Sequence, residues 1–166
     1  MERIGDIEIN QDLPFQTRQW NIQRVGWAIM TLLIVAALLG VFGSGPLSST
    51  TAGDNETVAV HYERFIRHTG EGDITIAVAA SQAPADEVEL RVEASWLDAV
   101  QILSISPEPA EFLAGDDSHV YVFTVDEPER PFAVNIRYTP REMGRISGGF
   151  TVNDGPSVSF TQWSYP

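Results

Sequence analysis

The chain contains no cysteine and no lysine, and only three histidines in 166 residues. The absence of thiols removes a disulfide framework, thiolate metal sites, a cysteine nucleophile and a lipid anchor on cysteine, so any folded part is held by core packing alone. The missing lysine is compositional and carries no functional weight: all 10 basic residues are arginine. Against 23 carboxylates they leave a formal net charge of −13. That sign repels phosphate backbones and anionic headgroups, and it excludes nucleic acid as a partner class. Catalytic motifs are missing too, with no G-x-S-x-G nucleophile elbow and no D-x-D-x-D-G calcium loop. No cofactor and no enzymatic activity are expected.

What the sequence does have is one long uncharged apolar run, Val25 to Phe42, closed by Gly43-Ser44-Gly45-Pro46. A bilayer core ~30 Å thick needs about 20 helical residues, and the run is long enough. This predicts a cytoplasmic segment at 1–24, a transmembrane helix at 25–43, a tether at 44–56 and a folded domain at 57–166. The region before the run is long and mixed in charge, unlike a secretory signal, and the best cleavage candidate, Thr50-Thr51-Ala52, is poor. An uncleaved anchor is therefore expected. Arg18 and Arg24 precede the run, and no basic residue follows until Arg64. The positive-inside rule then keeps the N-terminus in the cytoplasm and puts the domain outside. Trp20 and Trp27 bracket the entry point as interface anchors do. Ala36 and Gly40 have the small-xxx-small spacing that lets two helices approach, a spacing also common by chance in apolar segments.

Charge divides unevenly. Residues 1–24 hold three Arg against four carboxylates, −1, whereas residues 44–166 hold seven Arg against 19 carboxylates, −12. Period-2 alternation runs through this second part: Val58, Val60 and Tyr62; Ile74, Ile76 and Val78; Val88, Leu90 and Val92; Phe132 to Tyr138; Ile146 to Val152; Val158 and Phe160. Each places one face in a core and one in water. Val100 to Ile105 and His119 to Val125 are apolar on both faces and read as central strands. Turn clusters such as Thr69-Gly70-Glu71-Gly72 and Asn153-Asp154-Gly155-Pro156 separate the runs. Ser48 to Asn55 reads as flexible tether, and Ser95-Trp96-Leu97-Asp98 as a helical turn or a strand crossover. The fold class is all-β, an immunoglobulin-like β-sandwich of about seven or eight strands after a single transmembrane helix.

Three stretches carry a resemblance: Arg3-Ile4-Gly5 with Gln23 to Trp27 and Phe42 to Ser48, then Tyr62 to Arg67, then Phe160 to Pro166. By these the chain resembles a family of uncharacterised bacterial proteins with one N-terminal membrane helix and a β-sandwich tail. The resemblance implies the architecture, a bacterial inner (plasma) membrane location with a periplasmic or extracellular domain, and a multipass partner related to the YetF membrane proteins. It implies no activity. In layout the chain also looks like respiratory-oxidase assembly factors that pair one helix with an immunoglobulin-like domain, but copper delivery by their paired cysteines is excluded here.

The candidate sites are few. His61, Glu63 and His119 would form a metal site only if their strands paired, and no ligand spacing supports it, so no metal site is assigned. Arg64, Arg67 and His68 are three basic groups in an acidic domain; they either dock on a partner or form ordinary ion pairs with Glu63 or Glu71. Arg141 to Arg145 reads as a charged hairpin turn. The terminal Phe160 to Pro166 reads either as an edge strand packed by Phe160 and Tyr165 or as aromatics left outward for a partner or the membrane interface. The function expected is a non-enzymatic single-pass accessory or interaction protein in the lipid bilayer, with an integral-membrane protein partner. The alternative is a membrane-tethered ligand-binding sandwich.

Overall fold

The computed structural model describes residues 13–39, 45, 47–82, 86–125, 127 and 130–166. The chain divides into two compact units after Leu38. The first is helix α1, Leu13–Leu38. It starts well before the apolar run, because Gln16 to Arg24 are good helix formers with no glycine among them. Pro14 falls in the first turn, where its missing N–H costs nothing. Arg18 and Arg24 therefore lie on the helix and not ahead of it. One turn separates Trp20 from Arg24, and the guanidinium stands over the indole at 5.6 Å. The span Phe15–Leu38 is long and apolar enough to cross a membrane, and none of it is buried. Of the expected span 25–43, residues 40–44 lie outside the described residues.

The second unit is built from eleven strands in two sheets among the described residues. The first sheet takes β1 (Ser49–Gly53), β2 (Val58–Glu63), β4 (Gly72–Val78), β9 (Phe132–Pro140) and β6 (Val100–Ser106), in the order β1-β2-β4-β9-β6. The second takes β3 (Phe65–Arg67), β11 (Val158–Tyr165), β10 (Gly144–Val152), β5 (Glu87–Glu93), β8 (Ser118–Thr124) and β7 (Glu111–Ala114), in the order β3-β11-β10-β5-β8-β7. All the ladders are antiparallel except β3 on β11, which is parallel.

Alternation does what it predicts. β4 and β5 bury every second residue, and Ile74, Ile76, Val78, Val88, Leu90 and Val92 enter one core with Val134, Ile136, Phe150 and Phe160. Each such side chain contributes about 1.5–3 kcal/mol on burial. The helical turn α2, Ala94–Ala99, carries the chain from one sheet to the other, between β5 and β6. It delivers Trp96 to the core centre at 0% exposure. There the indole meets Tyr138, Phe150 and Phe160 edge-on at 5.2, 5.4 and 6.0 Å.

Several expectations need correction. All the alternating runs are strands, but β1, β3 and β7 add to them, so the count exceeds seven or eight. Ser49–Gly53, within the expected tether, pairs along its whole length with β2. Threonine suits a half-buried strand even without an apolar pattern, and Gly53, at φ +85°, closes the hairpin where a Cβ would collide with the Val58 carbonyl. β6 is not central; it ends the first sheet, with a register shift between Ile102 and Ser104. Conversely β11 is not an edge, since β3 and β10 flank it.

Candidate functional site

The charged residues distribute by strand parity. On the first sheet, His61 and Glu63 of β2, Asp73 and Thr75 of β4, and Asn135 and Arg137 of β9 share the face away from the core. Thr51 Oγ1 and His61 Nδ1 lie 2.7 Å apart, Asn135 Nδ2 donates to Thr75 Oγ1 at 3.1 Å, and Arg137 Nε donates to Asp73 Oδ1 at 3.1 Å. An open depression is lined here by Ser49, Thr51, His61, Glu63, Asp73 and Thr75. Partial burial, and then the Asp73 charge, push the Glu63 carboxyl above the usual carboxylate range.

Beneath this face lies a buried polar pair. Tyr138 Oη donates to Gln162 Oε1 at 2.9 Å, and Gln162 Nε2 donates to the Glu63 carbonyl at 2.8 Å. Burial raises the Tyr138 phenol far above its ordinary value, and the Glu63 and Asp73 charges add to that, while the Gln162 hydrogen bond opposes it.

The histidines do not converge. His61 is on the first sheet and His119 on the second, beside Phe112 at 5.3 Å. Among the described residues no group of three His or carboxylate side chains is placed to hold a metal.

Arg64, Arg67 and His68 do sit together, at the link from β2 through β3. Ser48, 0% exposed, fixes this link: its carbonyl accepts from Arg64 N–H at 2.7 Å, and its hydroxyl bridges the Phe65 N–H and carbonyl at 3.3 Å. His68 N–H donates to the Tyr165 carbonyl at 2.6 Å. The expected ion pairs with Glu63 or Glu71 do not form. Among the described residues the ion pairs are Arg130 with Glu127 and Arg137 with Asp73. Arg64 instead donates to Thr50 Oγ1 at 3.1 Å, and the Arg67 side chain is exposed.

Sequence reasoning missed what stands beside these arginines. Phe65, Trp163 and Arg145 form one cross-strand row, because β3 pairs with β11 and β11 with β10 at those positions. Trp163 is 53% exposed on the face away from the core, whereas Phe160 is buried. Parity along β11 is the signal that identifies Trp163 as outward. On α1, Ala36 is half-buried, and its partner in the small-residue spacing, Gly40, lies outside the described residues.

No family model and no curated protein matches this chain. One solved structure does, described as the complete structure of manganese lipoxygenase of Gaeumannomyces graminis and partial structure of zonadhesin of Komagataella pastoris, at 9% identity and a TM-score of 0.37. The match covers 68% of this chain and 47% of that one, and it is too weak to carry an argument about fold or activity.

Proposed function

We propose that this protein is a non-enzymatic, single-pass membrane accessory protein. In this reading α1 anchors it with the N-terminus in the cytoplasm, and an immunoglobulin-like β-sandwich meets an integral-membrane protein partner outside, at a bacterial plasma membrane. The observation that carries the reading is the helix itself: Phe15–Leu38 presents Ile29, Leu32, Leu33 and Ile34 unburied, which is costly in water and favourable in lipid. The sandwich and its immunoglobulin-like type are supported by two sheets sharing one core, by non-sequential strand neighbours and by a central tryptophan. Partner contact is supported by the free edge at β7, where all four residues are exposed and Phe112 and Leu113 offer 52% and 57% of their surface.

A second reading, a tethered ligand-binding module, draws on the open depression beside Glu63 and Asp73, whose charges suit a small cation. Affinity purification of the full chain in mild detergent, followed by mass spectrometry, separates the two. A stoichiometric integral-membrane partner supports the accessory role. A monomer that binds small cationic ligands supports the alternative.

A further inference from the structure

We propose that the outer face of the second sheet, at its β3-β11-β10 side, docks on the anionic headgroup surface of the membrane. The inference rests on the anchored reading above and adds which surface the domain turns to the lipid.

Two cross-strand rows build this face. Phe65, Trp163 and Arg145 form the first. Arg67 and Tyr165 are paired in the next row, and Met143, 62% exposed, sits on the hairpin that leads into β10. Aromatic, thioether and guanidinium groups together make the composition that settles at a headgroup layer, where apolar bodies go down and charged tips meet phosphate.

Charge points the same way. Four of the seven arginines in residues 44–166 are Arg64, Arg67, Arg141 and Arg145, and none forms an ion pair among the described residues. Glu71 and Glu142 are the carboxylates on the adjoining turns, so this corner carries a positive excess within a domain of −12. Screening acts over about 8 Å at physiological salt, so a membrane in contact meets the local sign and not the net charge. The repulsion expected from composition is thus reversed at this one corner, where each arginine near an anionic surface is attractive.

Reach is the third argument. Ser48, bonded to Phe65 and Arg64, is where the chain enters the domain. From Gly43, the end of the expected span, to Ser48 the chain extends at most about 18 Å. The headgroup region alone is about 5–8 Å deep on each side. The face containing Phe65 therefore begins close to the lipid, and no other part of the domain is tied so near.

Because the chain lacks cysteine, single cysteines can be introduced for spin labels. Labels at Met143→Cys, Leu113→Cys and Ile29→Cys are placed in the full chain and reconstituted in vesicles of equal parts phosphatidylglycerol and phosphatidylcholine. The expected result is a Met143 label shielded severalfold from a water-soluble relaxation agent, a Leu113 label fully accessible and an Ile29 label deep in hydrocarbon. Adding Arg67→Glu with Arg145→Glu returns the Met143 label to water and leaves the Ile29 label unchanged. A Met143 label as accessible as the Leu113 label, with the Ile29 label still deep, overturns the docking and leaves the anchor standing. An Ile29 label in water overturns both. Shielding at Met143 that appears only in native membranes overturns the lipid assignment in favour of a protein surface.

Discussion

Gly148 lies directly beneath Trp96: a Cβ at position 148 would stand 2.5 Å from the Trp96 Cβ. Glycine is present here because the indole occupies the space a side chain would take, and Trp96 in turn organises Tyr138, Phe150 and Phe160. Gly148→Ala is therefore expected to overpack the core and cost about 1–3 kcal/mol. Urea unfolding followed by Trp96 emission measures it, with a lower midpoint and an unchanged slope.

The Tyr138–Gln162 pair makes a second, asymmetric prediction. Gln162→Leu removes the partner of both the Tyr138 hydroxyl and the Glu63 carbonyl. Leaving buried polar groups unpaired costs about 1–3 kcal/mol each. Tyr138→Phe strands one Gln162 bond while the amide keeps the Glu63 carbonyl, so it should cost less. The ordering of the two unfolding midpoints is the check, and the reverse ordering contradicts the network as described.

Glu63 predicts a pH dependence. Its carboxyl is raised in the folded state by burial and then by Asp73, so between the unfolded value of about 4.3 and the folded one the native state holds more protons. Stability then falls as pH rises through that window. Glu63→Gln should flatten this slope and stabilise the protein at neutral pH, with the gain vanishing below the unfolded value. Tyr138 acts at the other end: its raised phenol keeps its proton when the unfolded chain loses one, so stability falls above about pH 10. Tyr138→Phe removes that alkaline slope.

The two exposed surfaces make separable predictions about partner capture. Phe112→Glu with Leu113→Glu, at the free β7 edge, should abolish recovery of a membrane partner in mild detergent without shifting the thermal midpoint, since both side chains are largely exposed. Arg64→Glu with Arg67→Glu should leave that recovery unchanged, because that corner faces lipid in this account. Loss of the partner in the arginine variant alone would reassign the corner to protein docking.

Much of the fold was legible because a half-buried strand marks itself by alternation. Val88, Leu90 and Val92, or Ile74, Ile76 and Val78, could be placed without structure. Ser49–Gly53 could not, because its side chains carry no apolar pattern and its pairing with β2 supplies the order. Glu111–Ala114 escaped for a related reason: four residues are too few to show a period, and all of them are exposed. Val100 to Ile105 looked central from composition, yet it is an edge whose Leu103 turns to solvent at 45%. At the candidate site the arginines stood out by sign alone. Their neighbours Trp163 and Arg145 did not, because parallel pairing of β3 on β11 joins segments about a hundred positions apart and leaves no local trace.

The central claim is that α1 stays in the membrane and holds the two-sheet domain on the outer side. Single cysteines at Glu8 and at Thr161 of the full chain, probed in intact spheroplasts with a membrane-impermeant maleimide, test it most directly. The account predicts that Thr161→Cys is labelled before lysis and Glu8→Cys only after it. Labelling of Glu8→Cys in intact spheroplasts, with Thr161→Cys protected until lysis, would contradict it.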